Sequence, residues 1–81
     1  MRSKETRPAT SRSPRDFTPR ERQILQLIWK GLKGRQIAGR LQISLKTVEM
    51  HRTAMMTKVR VTNTAALLRA AIKANIISID Y

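Results

Sequence analysis

The chain has 81 residues, with 17 Lys and Arg against 5 Asp and Glu, one histidine and no cysteine, for a formal charge of +12. That length holds one small domain, and the lack of cysteine excludes both a disulfide scaffold and a thiolate metal site. Enzyme chemistry is poorly supplied. Glu5, Asp16, Glu21, Glu49 and Asp80 fall at no spacing that would pair them locally, and His51 lacks a second imidazole or carboxylate at metal-ligand spacing. The expectation is therefore a non-enzymatic protein without metal or cofactor. So large a positive excess calls for a polyanionic partner, nucleic acid first among them. The longest apolar runs, Ala65–Leu68 and Ala70–Ile72, fall far below the ~20 residues that span a bilayer. No apolar segment follows the basic start Met1-Arg2-Ser3-Lys4, so a cytoplasmic protein without a membrane partner is expected.

Residues 1–16 differ in composition from the rest. They carry Arg2, Lys4, Arg7, Arg12 and Arg15 against Glu5 and Asp16, with Pro8 and Pro14, and only Met1 and Ala9 as apolar side chains. Such a segment cannot bury enough surface to offset its ordering entropy, and it reads as a disordered basic arm or linker. It is either an inert tail or an arm that follows phosphates or enters a minor groove. About +9 of the charge then belongs to residues 17–81.

From Phe17 onward the pattern is helical, and an all-α fold of four helices is predicted. Thr18-Pro19-Arg20-Glu21 is a complete helix start, with Thr18 as N-cap, Pro19 in the first position and Glu21 closing a capping box. Phe17, just before the cap, can staple the chain to that helix. Ile24, Leu25, Leu27 and Ile28 mark its apolar face and Gly31 ends it. A short second helix is expected over about 35–41, capped by Gly34 and facing inward through Ile37, Ala38 and Leu41. Ser44 caps a third helix reaching roughly to Lys58, and Asn63 caps a fourth ending near Ala74. No alternating run argues for a strand.

The tight connection Gln42-Ile43-Ser44 between the second and third helices is the mark of a helix-turn-helix unit, with Ala38 as the small residue at the crossing. Leu41, Ile43 and Val48 supply the apolar residues that lock it. At about 100° per residue, Val48 centres an inner face flanked by Leu45, Arg52, Met55 and Val59. Arg52 then runs its stem along the core and emerges at the edge. Lys46, Glu49, Met50, Thr53, Ala54 and Thr57 lie opposite. Such a mixed outer face can read base edges. Glu49 can accept from a cytosine amino group, Met50 can touch a thymine methyl, and Lys46 or Thr53 can donate to purine acceptors. Thr47, His51 and Lys58 share one edge and suit backbone phosphates, which set register without reading sequence. Each has a plainer alternative: Glu49 and Lys46 as a solvated face, His51 as a structural histidine.

Thr18-Pro19-Arg20-Glu21-Arg22, Gly31-Leu32, Ile37-Ala38, Leu41, Ile43-Ser44 and Lys46-Thr47-Val48-Glu49-Met50-His51-Arg52 together resemble the LuxR/FixJ/GerE-type DNA-binding domain. The Thr-Val-Glu-x-His-Arg run is especially similar to the FixJ branch of response regulators. The resemblance covers about residues 17–77. It implies a four-helix domain that binds promoter DNA as a dimer paired along the fourth helix, in a bacterial, nucleoid-associated regulator with RNA polymerase as a further partner. It also implies base-reading positions at Glu49, Met50 and Thr53, with Thr47 and Lys58 on the DNA backbone. The sequence departs from the family where Gly34-Arg35 stands for the usual Asn-Lys, and where Gln42 and Arg60 replace glycines after the second and third helices. Arg35 keeps the charge, so Arg35, Arg52 and Arg60 join the phosphate-contacting set. If Gln42 and Arg60 keep a left-handed backbone, each costs on the order of 1 kcal/mol. The residues before Phe17 are too few for the sensor domain that family members generally carry, which fits either a stand-alone regulator or an excised output piece.

In the fourth helix Leu67, Ala70, Ala71 and Ala74 form the inward stripe, yet Ala65, Leu68 and Ile72 widen the apolar sector beyond a lone surface helix. Either Ile76, Ile77 and Ile79 fold back over it, or Ala65, Leu68 and Ile72 make a weak two-fold dimer contact that DNA strengthens. Two other readings compete. One is an adaptor or antagonist that binds a regulator's helix through Leu68 and Ile72, although protein partners rarely demand so much positive charge. The other takes Gly31-Leu32-Lys33-Gly34 as the GxxG clamp of a KH-type RNA binder, which would need a sheet. A nucleotide-binding loop fails because Arg40-Leu41 follows Gly34 and Gly39 where Lys-Ser/Thr is required.

Overall fold

A computed structural model describes residues 16–77, so the proposed arm, apart from Asp16, and Ile79 lie outside the described residues. Four helices follow in order: α1 (Pro19–Trp29), α2 (Gly34–Leu41), α3 (Leu45–Val59) and α4 (Thr64–Lys73). No strand occurs among the described residues, which removes the sheet-dependent RNA-binding reading. No described helix is long and apolar enough to cross a membrane.

The helix starts are local chemistry. Glu21 N–H donates to Thr18 Oγ1 (3.1 Å) while Thr18 N–H donates to Glu21 Oε1 (2.9 Å), a reciprocal capping box. Ser44 Oγ accepts from Thr47 N–H (3.0 Å), and Asn63 Oδ1 accepts from Ala66 N–H (2.8 Å). At α2 the expected cap shifts by one residue. Gly34 is the first helical residue, and the preceding Lys33 donates its N–H to Gln36 Oε1 (2.7 Å). Gly34 has no side chain to cap with; Gln36, three residues beyond Lys33, reaches back and satisfies the orphan donor instead.

All four helices stop in the same way. A residue in the left-handed region follows each one: Gly31 (φ 96°), Gln42 (57°), Arg60 (58°) and Asn75 (61°). The next residue is apolar and sends its N–H back five residues: Leu32 to Leu27 O (3.1 Å), Ile43 to Ala38 O (3.0 Å), Val61 to Met56 O (3.0 Å) and Ile76 to Ala71 O (2.9 Å). Leu32, Ile43, Val61 and Ile76 all pack against the core. This is the Schellman arrangement with its hydrophobic contact, and it turns every helix end into a fixed change of direction.

The core is Phe17, Ile24, Leu25, Leu27, Ile37, Ala38, Val48, Met55, Leu67, Ala71 and Ile77, and α3 packs on each of the other three helices. Leu45, expected to face inward, is instead 39% exposed. It sits in the first turn of α3, where it reaches sideways over the start of α2 rather than down into the core; a Cβ built on Gly34 would lie 2.9 Å from its Cδ1. Ile76 and Ile77 do return to the core, and Ile77 is wholly buried.

Gln42 and Gly39 test the backbone account in opposite directions. Gln42 holds a conformation that suits glycine, whereas Gly39 lies inside α2 with open space where a Cβ would be. Gln42→Gly and Gly39→Ala should each stabilise the domain by up to about 1 kcal/mol. Thermal denaturation followed by circular dichroism should show Tm rising by about 4–8 °C per kcal/mol.

Candidate nucleic-acid interface

The outer face of α3 is the candidate surface. Because α1, α2 and α4 pack against its other side, Val48 and Met55 are buried while Lys46, Met50 and Thr53 stand in solvent. Met50 is 63% exposed, unusual for a large apolar side chain and contrary to a core role. Lys46, Glu49, Met50, Thr53 and Ala54 line one shallow surface. From Lys46 to Thr53 is about 10 Å along a helix axis, close to the ~12 Å opening of a DNA major groove.

The residues expected on phosphates divide. Arg35 and Arg60 are exposed, and Thr47 and His51 are half-buried at the edge of α3. The Thr47 hydroxyl lies 2.9 Å from Ser44 Oγ. Arg35 lies in the first turn of α2 and Arg60 caps the end of α3.

Two of the expected phosphate ligands, Lys58 and Arg52, are engaged by other side chains of the protein. Lys58 Nζ donates to Glu21 Oε1 (2.7 Å) and to the Asp16 carbonyl (3.0 Å), and it sits 5.9 Å from the centre of the Phe17 ring. The lysine stem is long enough to turn from the edge of α3 toward α1, where a nearly buried carboxylate attracts it more strongly than water does. Arg52 is half-buried at the edge of α3, and its guanidinium ends on Glu49 Oε1 and Thr64 Oγ1. Every other lysine and arginine among the described residues is exposed.

Sequence reasoning missed the second role of Glu21. Its residue is only 4% exposed, and one oxygen serves both the capping box and Lys58. The signal was present: Glu21 falls on the same helical stripe as Ile24, Leu25 and Ile28, and an acid on a buried stripe requires a cation.

The model of the family described as "Bacterial regulatory proteins, luxR family" matches residues 15–71. The chain belongs to this family. Its members are DNA-binding transcription regulators and not enzymes. Among curated relatives, the chain is 34% identical over 62 residues to the transcriptional regulatory protein FixJ of Bradyrhizobium diazoefficiens, covering 76% of this chain and 30% of that protein. It is 44% identical over 54 residues to the nitrate/nitrite response regulator protein NarL of Escherichia coli K12, covering 67% and 25%. The crystal structure of response regulator ChrA, of a heme-sensing two-component system, superposes with a TM-score of 0.74 at 34% identity, over 90% of this chain and 33% of that one. The chain thus spans about a third or less of the length of these regulators, as a LuxR-family DNA-binding domain does.

Removing the lysine head should leave Glu21 as an uncompensated buried charge. Lys58→Met is expected to destabilise the domain by about 3 kcal/mol in urea denaturation. Glu21→Gln in the same chain should restore part of that loss, because it removes the stranded charge. Equal and additive losses from the two changes would contradict the pairing.

Proposed function

We propose that this domain reads specific sequences in double-stranded DNA as a transcription regulator, with α3 lying in the major groove. The single observation that supports this most is the exposure of Lys46, Met50 and Thr53 on one uninterrupted face of a helix held from behind by three others. In this reading Lys46, Glu49, Met50 and Thr53 meet base edges. Arg35, Thr47, His51 and Arg60 meet phosphates and fix the register. Lys46 and Thr53 donate to purine acceptors, Met50 packs on a thymine methyl and Glu49 accepts from a cytosine amino group. The ten exposed lysines and arginines among residues 16–77 provide the general attraction and the salt dependence.

Measured affinity on selected duplexes over a range of salt tests the division of labour. Met50→Ala and Thr53→Ala should each relax preference at one base pair, by about 1 kcal/mol or more, and leave the salt slope unchanged. Arg35→Ala and Arg60→Ala should weaken binding to every duplex alike and reduce the slope by about one unit each. If all four changes act equally on all duplexes, the assignment is wrong.

Pairing of two copies along α4 completes the proposal. Ala65 is exposed and Leu68 and Ile72 are half-buried, on one stripe of the helix. Since Ile76 and Ile77 already take part of the apolar sector, the surface left for a partner is small, and two copies associate weakly until DNA brings them together. Leu68→Arg should therefore reduce affinity for a duplex with two half-sites by about tenfold or more, while leaving a single half-site bound as before. Gel-shift titrations on the two duplexes read this directly; equal losses on both would exclude the pairing.

A further inference from the structure

Glu49 is the one acid on the reading face, and it is seated where three helices meet. Arg52, one turn further along α3, aims Nε (3.2 Å) and one terminal nitrogen at Glu49 Oε1. The other terminal nitrogen donates to Thr64 Oγ1 (2.9 Å), in the first residue of α4. The start of α4 is itself fixed, since Asn63 caps it. On the other side, Glu49 Oε2 stands close to Gly34, where a Cβ would lie 3.2 Å from it and 2.9 Å from Leu45 Cδ1. A guanidinium from α3 thus meets the carboxylate beside a missing side chain on α2, and a hydroxyl from α4 braces that guanidinium.

A free glutamate samples several rotamers of similar energy, each of which presents its oxygens differently. An unpaired carboxylate between two rows of phosphates is also repelled by both. The guanidinium addresses both difficulties, because two N–H groups on one oxygen hold that oxygen in place and offset its charge.

We propose that Arg52 is a positioning residue for base reading. It holds the Glu49 carboxylate in one orientation, braced by Thr64, and makes no phosphate contact of its own. This rests on the DNA-reading function proposed above and adds to it how the acid on α3 is aimed, and that the start of α4 takes part in the aiming.

The test is a double-mutant cycle in the full chain, read as preference among the four base pairs at each position of a selected duplex, with thermal melts to show that each variant is folded. Glu49→Gln should shift preference at one position. Arg52→Gln should shift it at that same position by about fivefold, and Thr64→Val, which removes only the hydroxyl, by about twofold. In the Glu49→Gln background neither change should shift it further. A merely structural arginine would lower Tm in both backgrounds without selecting a position. An Arg52→Gln effect that persists in the Glu49→Gln background overturns the proposal, because the arginine would then be touching DNA itself. Should Arg52→Gln not fold, Thr64→Val decides alone: unchanged preference there overturns it. The two readings fail separately. If Glu49→Gln is silent while Met50→Ala and Thr53→Ala are not, DNA reading stands and this inference falls; if the unaltered chain prefers no sequence, both fall.

Discussion

Val48 and Met55 lie two turns apart on α3, and both are excluded from water by three helices that approach from the same side. Everything else in the domain follows from holding α3 this way. A helix gripped along one stripe keeps its opposite side free of protein, and that side can then enter a groove with no rearrangement. The grip on so narrow a stripe is supplemented at its edges by polar contacts. Lys58 ties the last turn of α3 to α1, and Arg52 ties its middle to the start of α4. Both ties use the long stem of a basic residue to cross the gap between helices, so α3 is fixed in rotation as well as in position.

Those ties also arrange the charge. Glu21 and Glu49 are matched by Lys58 and Arg52, the two lysine or arginine side chains among the described residues that are only partly exposed. Such pairing offsets two carboxylates in the field seen by an approaching polyanion, while ten lysines and arginines among residues 16–77 stand exposed. Their attraction is long-ranged at low salt and weakens as the Debye length shrinks toward ~8 Å. In the proposed reading, specificity comes from the short polar and apolar groups on α3, because surface charge alone follows phosphates of any sequence.

How much of this the sequence disclosed depended on how local the physics was. The caps at Thr18, Ser44 and Asn63 were legible because each bond closes within three residues. The outer face of α3 was legible from the angle between Val48 and Met50, since periodicity alone separates buried from exposed. Lys58 was not. Its angle set it at the edge of the helix, but a four-carbon stem can turn either way, and the carboxylate that decides the matter lies 37 positions earlier in the chain. The direction of Arg52 could be read, but not its partners, because Thr64 comes beside it only once α4 has packed. Leu45 shows the same limit: it shares a stripe with Val48, yet the core does not extend as far as the first turn.

The helix ends carry the argument one step further. At each of the four, a left-handed residue is followed by an apolar one that docks on the core, so the direction in which the next helix leaves is set by packing as much as by backbone preference. This explains how Gln42 and Arg60 can stand where glycine would be the easier residue. Ile43 and Val61, both partly buried, hold the turn from the far side, and their burial, at about 0.8 kcal/mol per buried CH2, offsets the ~1 kcal/mol of strain at a non-glycine left-handed residue. The same balance fixes the crossing of α2 and α3. A base-reading side chain must be placed to within about half an ångström to discriminate, and a turn held by an isoleucine packed against the core meets that demand better than one that relies on a flexible glycine.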